Sequence, residues 1–171
     1  MEAGNAMRNV AIEKVTVNMG VGQPGEELEK AAVIMQTITG AKPMRTKCRV
    51  RQPTWGIREG LNIGLKVTLR KKKADDFLRR ALSAKDNVLQ ARNFDNSGNF
   101  GFGIKEYIDM PDVRYDPRLG IRGFDVLVTL KRPGYRLKRR KLAKKKIPVA
   151  HRIAKSDAID FVKQKFGADV K

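Results

Sequence analysis

An α+β fold is predicted for this chain: a single domain with an antiparallel-rich sheet, helices packed largely on one face, and a long basic hairpin. Three observations predict it. Stretches in which apolar residues alternate, such as VTVNM (15–19) and LNIGLKVTL (61–69), are interleaved with stretches of helical period. No internal repeat or Gly/Ser-rich linker divides the 171 residues, a length that suits one domain with a real core. The apolar fraction of 41% is that of an ordinary globular protein.

The first strand runs from about Val10 to Met19, and its alternation slips once near Glu13, which predicts a bulge. After a glycine loop, Leu28, Ala31, Ala32, Met35 and Ile38 recur at helical spacing, and Gly40 is the expected stop. In MRTKCRVR (44–51), Met44, Thr46, Cys48 and Val50 alternate with Arg45, Lys47, Arg49 and Arg51, so one strand face is cationic. LNIGLKVTLR repeats the pattern, with Asn62, Gly64, Lys66, Thr68 and Arg70 on one face. Paired as a hairpin, the two strands are expected to bring their cationic rows to one surface, joined by the loop QPTWGIREG (52–60).

A short helix is predicted over about 74–83, burying Phe77, Leu78, Ala81 and Leu82, with Asp75 and Asp76 in its first turn, where the helix dipole favours acids. NFDNSGNFGFGIKEY (93–107) reads as a tight Asn/Asp/Gly turn followed by a strand. FDVLVTL (124–130), almost continuously apolar, is the candidate central strand. A last helix is expected from an N-cap at Ser156 to Gly167, with Ile159, Val162 and Phe166 as its buried stripe.

Charge is the outlier. Lys and Arg number 37 against 18 Asp and Glu, a formal net charge of +19. Such a chain repels itself unless a polyanion offsets the charge, and nucleic acid is the leading candidate. No basic amphipathic helix favours a membrane surface, and neither an apolar signal core nor a membrane-length apolar stretch is found. With a single cysteine, Cys48, and a single histidine, His151, thiolate–histidine catalysis and a Cys/His zinc site lack their residues; a reducing cytoplasm, no cofactor and no enzymatic activity are expected. Asp109, Asp112 and Asp116 match no calcium-loop spacing and read as loop carboxylates near Arg114 and Arg118.

Gly20, Gly22 and Gly25 have the G-x-G-x-x-G spacing of a dinucleotide site, but residues 41–56 hold no acid to take a ribose hydroxyl. The basic hairpin points instead to phosphates, and to RNA, since neither a DNA-reading motif nor RRM aromatics are found. Trp55 lies in a Pro/Gly-punctuated loop of that hairpin and is expected to be exposed, free to stack on a base. Residues 131–146 carry ten basic residues and no acid; the segment 131–155 is expected to order only on RNA, through Arg136, Lys138, Arg139 and Arg140 among others.

Taken in order, GVG after VTVN, TGAKP, the basic strand, REGLNIGLKVTLR and NFDNSGNFGFGIKEY resemble the landmarks of one family over about 7–130: the large-subunit ribosomal protein L five family, which binds 5S rRNA. The basic 131–146 segment and the short N-terminus resemble its archaeal and eukaryotic branch. The resemblance implies a structural role in the cytoplasmic ribosome, with 5S rRNA, large-subunit rRNA, P-site tRNA, neighbouring ribosomal proteins and a small-subunit bridge partner, and with neither membrane nor DNA. By position it implies rRNA contacts at Asn18, Gly20, Lys42, Pro43, Lys66, Thr68 and Arg70, to which the cationic row adds Arg45, Lys47 and Arg49. It implies tRNA contact at Gln52, Pro53, Thr54, Trp55, Gly56, Ile57 and Arg58. Ala41 stands where many bacterial members have glutamine. A non-ribosomal RNA-binding or assembly factor is the alternative reading of the same basic face, and a phosphate-handling transferase around Gly20–Gly25 comes last.

Overall fold

The computed structural model describes residues 5–171. Five strands form one sheet in the order β2-β3-β1-β6-β5, every neighbouring pair antiparallel. They are β1 (Ala11–Gly20), β2 (Met44–Lys47), β3 (Asn62–Leu69), β5 (Phe100–Ile104) and β6 (Phe124–Lys131). A separate parallel pair joins β4 (Val88–Leu89) to β7 (Asp169–Val170) and ties the C-terminus to the end of the second helix. The helices are α1 (Glu26–Thr39), α2 (Lys72–Ser83) and α3 (Lys155–Phe166).

The alternation read from the sequence sorts each strand into two faces. Val15, Val17 and Met19 of β1, Leu65, Val67 and Leu69 of β3, and Phe124, Val126, Val128 and Leu130 of β6 are all buried. Against this face α1 packs across β3 and α2 across β1, adding Leu28, Ile34, Met35, Ile38, Phe77, Leu78 and Leu82 to one continuous core. Burying each such Leu, Ile or Phe contributes about 1.5–3 kcal/mol, so the helices are held by this face rather than by their own propensity. α3 docks beside α2 through buried Ala158 and Val162, a Lys165–Asp75 ion pair of 2.8 Å, and the Arg79 guanidinium over the Phe166 ring.

Several expectations hold in detail. The register of β1 against β6 slips between Ile12 and Lys14, which makes Glu13 the bulged residue. Gly40 and Gly167 adopt left-handed φ and end α1 and α3. The turn before β5 is built by Asp95, whose Oδ1 accepts from the Ser97 and Asn99 amides at 2.8 Å each.

Others are corrected. α3 is capped by Ala154, not Ser156: the Asp157 carboxylate accepts from the Ala154 amide at 2.9 Å, so an acid in the first turn does the work assigned to a serine. Ile159 and Phe166 are only half-buried, and Ala158 takes their place beneath the helix. FDVLVTL is a central strand as expected, flanked by β1 and β5, but its apolar run is not buried throughout: Leu127 is 49% exposed. β2 ends at Lys47 rather than Arg51; beyond it the hairpin continues as loop backbone, with the Cys48 amide donating to Leu61 O at 2.7 Å.

Candidate nucleic-acid interface

No helix covers the second sheet face among the described residues. Cross-strand partners share a face, so the registers map this surface directly. One row runs Met44, Lys66, Asn18, Asp125, Gly103; the next runs Thr68, Thr16, Leu127, Gly101; on the other side Thr46, Gly64 and Gly20 adjoin. The residues expected at the rRNA on β1 and β3 therefore stand side by side. Asn18 is opposite Lys66, Gly20 is opposite Gly64, and Thr68 follows Lys66 along β3. Lys66 and Thr68 are exposed, and Lys66 enters no ion pair among the described residues. Gly64 is required by crowding: a Cβ there would lie 2.9 Å from Thr46 Oγ1 and 3.0 Å from the Met19 carbonyl.

Lys42 and Pro43 leave α1 through a turn closed by Gly40, whose amide donates to Gln36 O at 2.8 Å. They enter β2 at the end nearest Thr68.

The cationic row of β2 is split: Lys47, exposed beyond a register slip, is paired with Asn62 and stands on the open side with Lys66, whereas Arg45 does not. Arg45 is paired with Leu65, so it lies on the helix side, where its guanidinium meets Glu29 of α1 at 2.5 Å. Met44 and Thr46 occupy the open face instead. Alternation groups residues within a strand, but the parity of the register decides which group of one strand meets which of the next. The slip between Thr46 and Lys47 ends the regular pairing before Arg49, which is exposed in the loop backbone.

The expected tRNA-contact loop is an ordered turn. Gln52 and Ile57 exchange both backbone hydrogen bonds, at 2.9 and 3.1 Å, around a short turn Pro53–Trp55 that Gly56 closes at φ 66°. Trp55 is 71% exposed at its tip, as expected. Arg58 is exposed beside it.

The basic segment follows a pinned path. Arg132, only 8% exposed, donates to the Arg8 and Arg152 carbonyls at 3.0 and 2.9 Å and to Asp157 at 3.0 Å. The Tyr135 hydroxyl accepts from the Ile153 amide at 2.9 Å, and Ile147 and Ile153 are buried. Arg139 forks onto the carboxylate of Glu13, the bulged residue of β1, whose side chain is 5% exposed; Arg70 Nη1 approaches the same carboxylate at 3.9 Å. Arg136, Lys138 and Arg140 are exposed between these anchors. The segment and the 95–99 turn enclose a cleft of about 530 Å³ whose lining includes Lys138, Lys146 and Arg152.

Two residues that shape this surface escaped the sequence reading. Glu13 was legible as a slip in alternation but not as an arginine clasp. Asp125, hidden in an apolar run, stands on the open face.

The glycine loop does not make a phosphate site. β1 is flanked only by antiparallel strands, so there is no βαβ unit around it. The first turn of α1 already holds Glu26, Glu27 and Glu29, which repel an anion at the helix N-terminus. Lys30, hydrogen-bonded to Glu26 at 2.9 Å, holds that carboxyl below its ordinary range, and Arg122 pairs with Glu27. Asp109, Asp112 and Asp116 form no metal-binding group among the described residues.

A strongly basic α+β domain with an uncovered polar sheet face, a protruding ordered turn and a pinned cationic strap defines a structural nucleic-acid-associated protein. Comparison with known proteins agrees and narrows the class. Residues 5–58 match the family model described as ribosomal protein L5, and residues 62–161 match the C-terminal model of the same ribosomal family. The large ribosomal subunit protein uL5 of Methanococcus vannielii is 48% identical over 167 residues, covering 96% of this chain and 92% of that protein. Those of Sulfolobus acidocaldarius (48% over 166 residues; 97% and 93% covered) and Methanoregula boonei (47% over 165 residues; 96% and 100% covered) are similarly related. The chain belongs to the ribosomal protein L5 family: a non-enzymatic structural component of the large subunit of the cytoplasmic ribosome.

Proposed function

We propose that this chain binds 5S rRNA through its open sheet face and helps attach it in the central protuberance of the large subunit. The observation that carries the reading is the register that sets Asn18, Gly20, Lys66 and Thr68 next to one another on an uncovered face. Lysine supplies a phosphate partner, Asn and Thr supply directed hydrogen bonds, and the adjoining glycines let an RNA backbone approach closely. Lys42, Pro43 and Arg70 border this face. Arg45 and Arg139, held by Glu29 and Glu13, reach RNA only from the flanks or by exchanging partners.

The 52–58 turn, with Trp55 exposed at its tip, contacts P-site tRNA, and the chain also meets neighbouring ribosomal proteins, including a small-subunit bridge partner. The stretch between the anchors Arg139 and Ile147 carries Arg140, Lys141, Lys144, Lys145 and Lys146 and becomes ordered when phosphates neutralise it.

The test is competition binding to 5S rRNA against tRNA and duplex DNA. With six or more phosphate contacts, non-specific affinity falls about a thousandfold between 50 and 200 mM salt. Selective survival of 5S rRNA binding at about 0.15–0.2 M salt is the expected result. Equal collapse for all three ligands refutes the proposal.

A further inference from the structure

Asp125 is an anomaly on the surface just mapped. Asn18 and then Lys66 lie across the sheet from it on one side, and Gly103 lies on the other. It is exposed, and among the described residues its side chain enters neither an ion pair nor a hydrogen bond. It is also the one acid that the registers place on this open face. A free carboxylate facing phosphates weakens binding of any polyanion, so a surface that served only to neutralise phosphates would be better without it.

The surroundings of Asp125 suit a base rather than a phosphate. Gly103 leaves the β5 side of the carboxylate without a side chain, and even a Cβ there would come no nearer than 3.4 Å to Asp125 Oδ1. The Leu127 side chain already covers Gly101, its Cδ2 2.7 Å from where a Cβ would stand. Leu127, two residues along the strand on the same face, is 49% exposed and offers an apolar floor. A planar ring can lie there with its edge toward the carboxylate. An ionised Asp only accepts hydrogen bonds, so the edge it selects must carry donors. Unpaired guanine carries two on its Watson–Crick edge, the N1 imino and N2 amino groups, spaced to meet both oxygens of one carboxylate. Adenine and cytosine offer a single amino group there, and uracil a single imino group.

We propose that Asp125 is a specificity-determining residue of the RNA-binding face, accepting from the Watson–Crick edge of an unpaired guanine that lies over Gly103 and Leu127. This rests on the reading of the open face as the 5S rRNA surface, and it reverses the sign expected of a surface acid. Removing a negative charge should tighten RNA binding everywhere; removing a base-reading acceptor should weaken binding of the cognate RNA alone.

The experiment compares the full-length wild-type chain with Asp125→Asn and Asp125→Ala. Affinities for 5S rRNA and for a non-cognate tRNA are measured at one salt concentration, and circular dichroism confirms the fold. Both substitutions are expected to lower 5S rRNA affinity roughly tenfold, as for one lost bidentate base contact, and to leave tRNA affinity unchanged or raised. Kethoxal, which modifies the N1/N2 edge of unpaired guanines, supplies a second readout. At saturating protein, wild type should protect at least one guanine that Asp125→Asn leaves reactive. Equal tightening on both RNAs, no change on either, or identical kethoxal patterns would overturn the assignment. If wild type shows no preference for 5S rRNA, the reading of the open face fails instead, and that outcome is distinguishable from the others.

Discussion

Replacing Arg139 by alanine removes the main partner of Glu13 while leaving the acid in place. The Glu13 side chain is 5% exposed at a bulge in the middle strand, and only Arg70, with Nη1 at 3.9 Å, would remain beside it. Breaking a fully buried pair costs about 3–5 kcal/mol, because one charge is left uncompensated. An exposed pair is worth about 0–1 kcal/mol. The Arg139 side chain is 55% exposed, so water screens its end of the contact and the cost falls between these limits, at about 2 kcal/mol. For a chain of this size that lowers Tm by roughly 4–8 °C. Glu13→Gln should cost less, since the amide carries no charge to strand. In the double variant the two losses should overlap, giving a coupling of at least about 1 kcal/mol in a double-mutant cycle. Thermal unfolding reads the cycle, and hydrogen exchange of the 136–146 amides reports whether the strap has loosened. An Arg139→Ala variant melting within about 1 °C of wild type, or strictly additive losses, would refute the clasp.

Other outcomes follow from the same geometry. Lys66→Ala should leave Tm nearly unchanged but flatten the salt dependence of 5S rRNA binding by about 0.7–0.9 in log–log slope; an unchanged slope would place Lys66 away from the phosphates. Trp55→Ala, at an exposed tip, should preserve both stability and 5S rRNA affinity while weakening tRNA retention in assembled ribosomes; an equal loss on 5S rRNA would move Trp55 to the other interface. Gly64→Ala forces a Cβ to within 3.0 Å of the Met19 carbonyl, which cannot swing aside, and should cost about 1–3 kcal/mol in a denaturant titration; wild-type stability would show that β1 and β3 can part there without penalty.

Local pattern carried much of the architecture. A period of two over 61–69 and a period of 3.6 over 28–38 follow from backbone geometry within each segment, so β3 and α1 could be read without knowing what they pack against. Glycines beyond helix ends, the Asp95 turn and the slip at Glu13 are likewise local. The functional class was legible for a different reason: an excess of 19 positive charges is a property of composition, and ordered motifs identify a family whatever their spatial arrangement.

What the tertiary structure alone decided was how these pieces face one another. Arg45 and Lys66 each lie on a strand with a cationic row, yet a register pairing Arg45 with Leu65 turns them to opposite sides of the sheet. Arg139 and Glu13 lie far apart in sequence and meet only because the strap crosses the bulge. Asp125 reads as an interruption in an apolar strand until β1 and β5 flank it with Asn18 and Gly103. Alternation labels two sides of every strand, but a shift of one residue exchanges them. That choice is made by the summed burial of the whole sheet against α1 and α2, a quantity no single stretch of sequence contains.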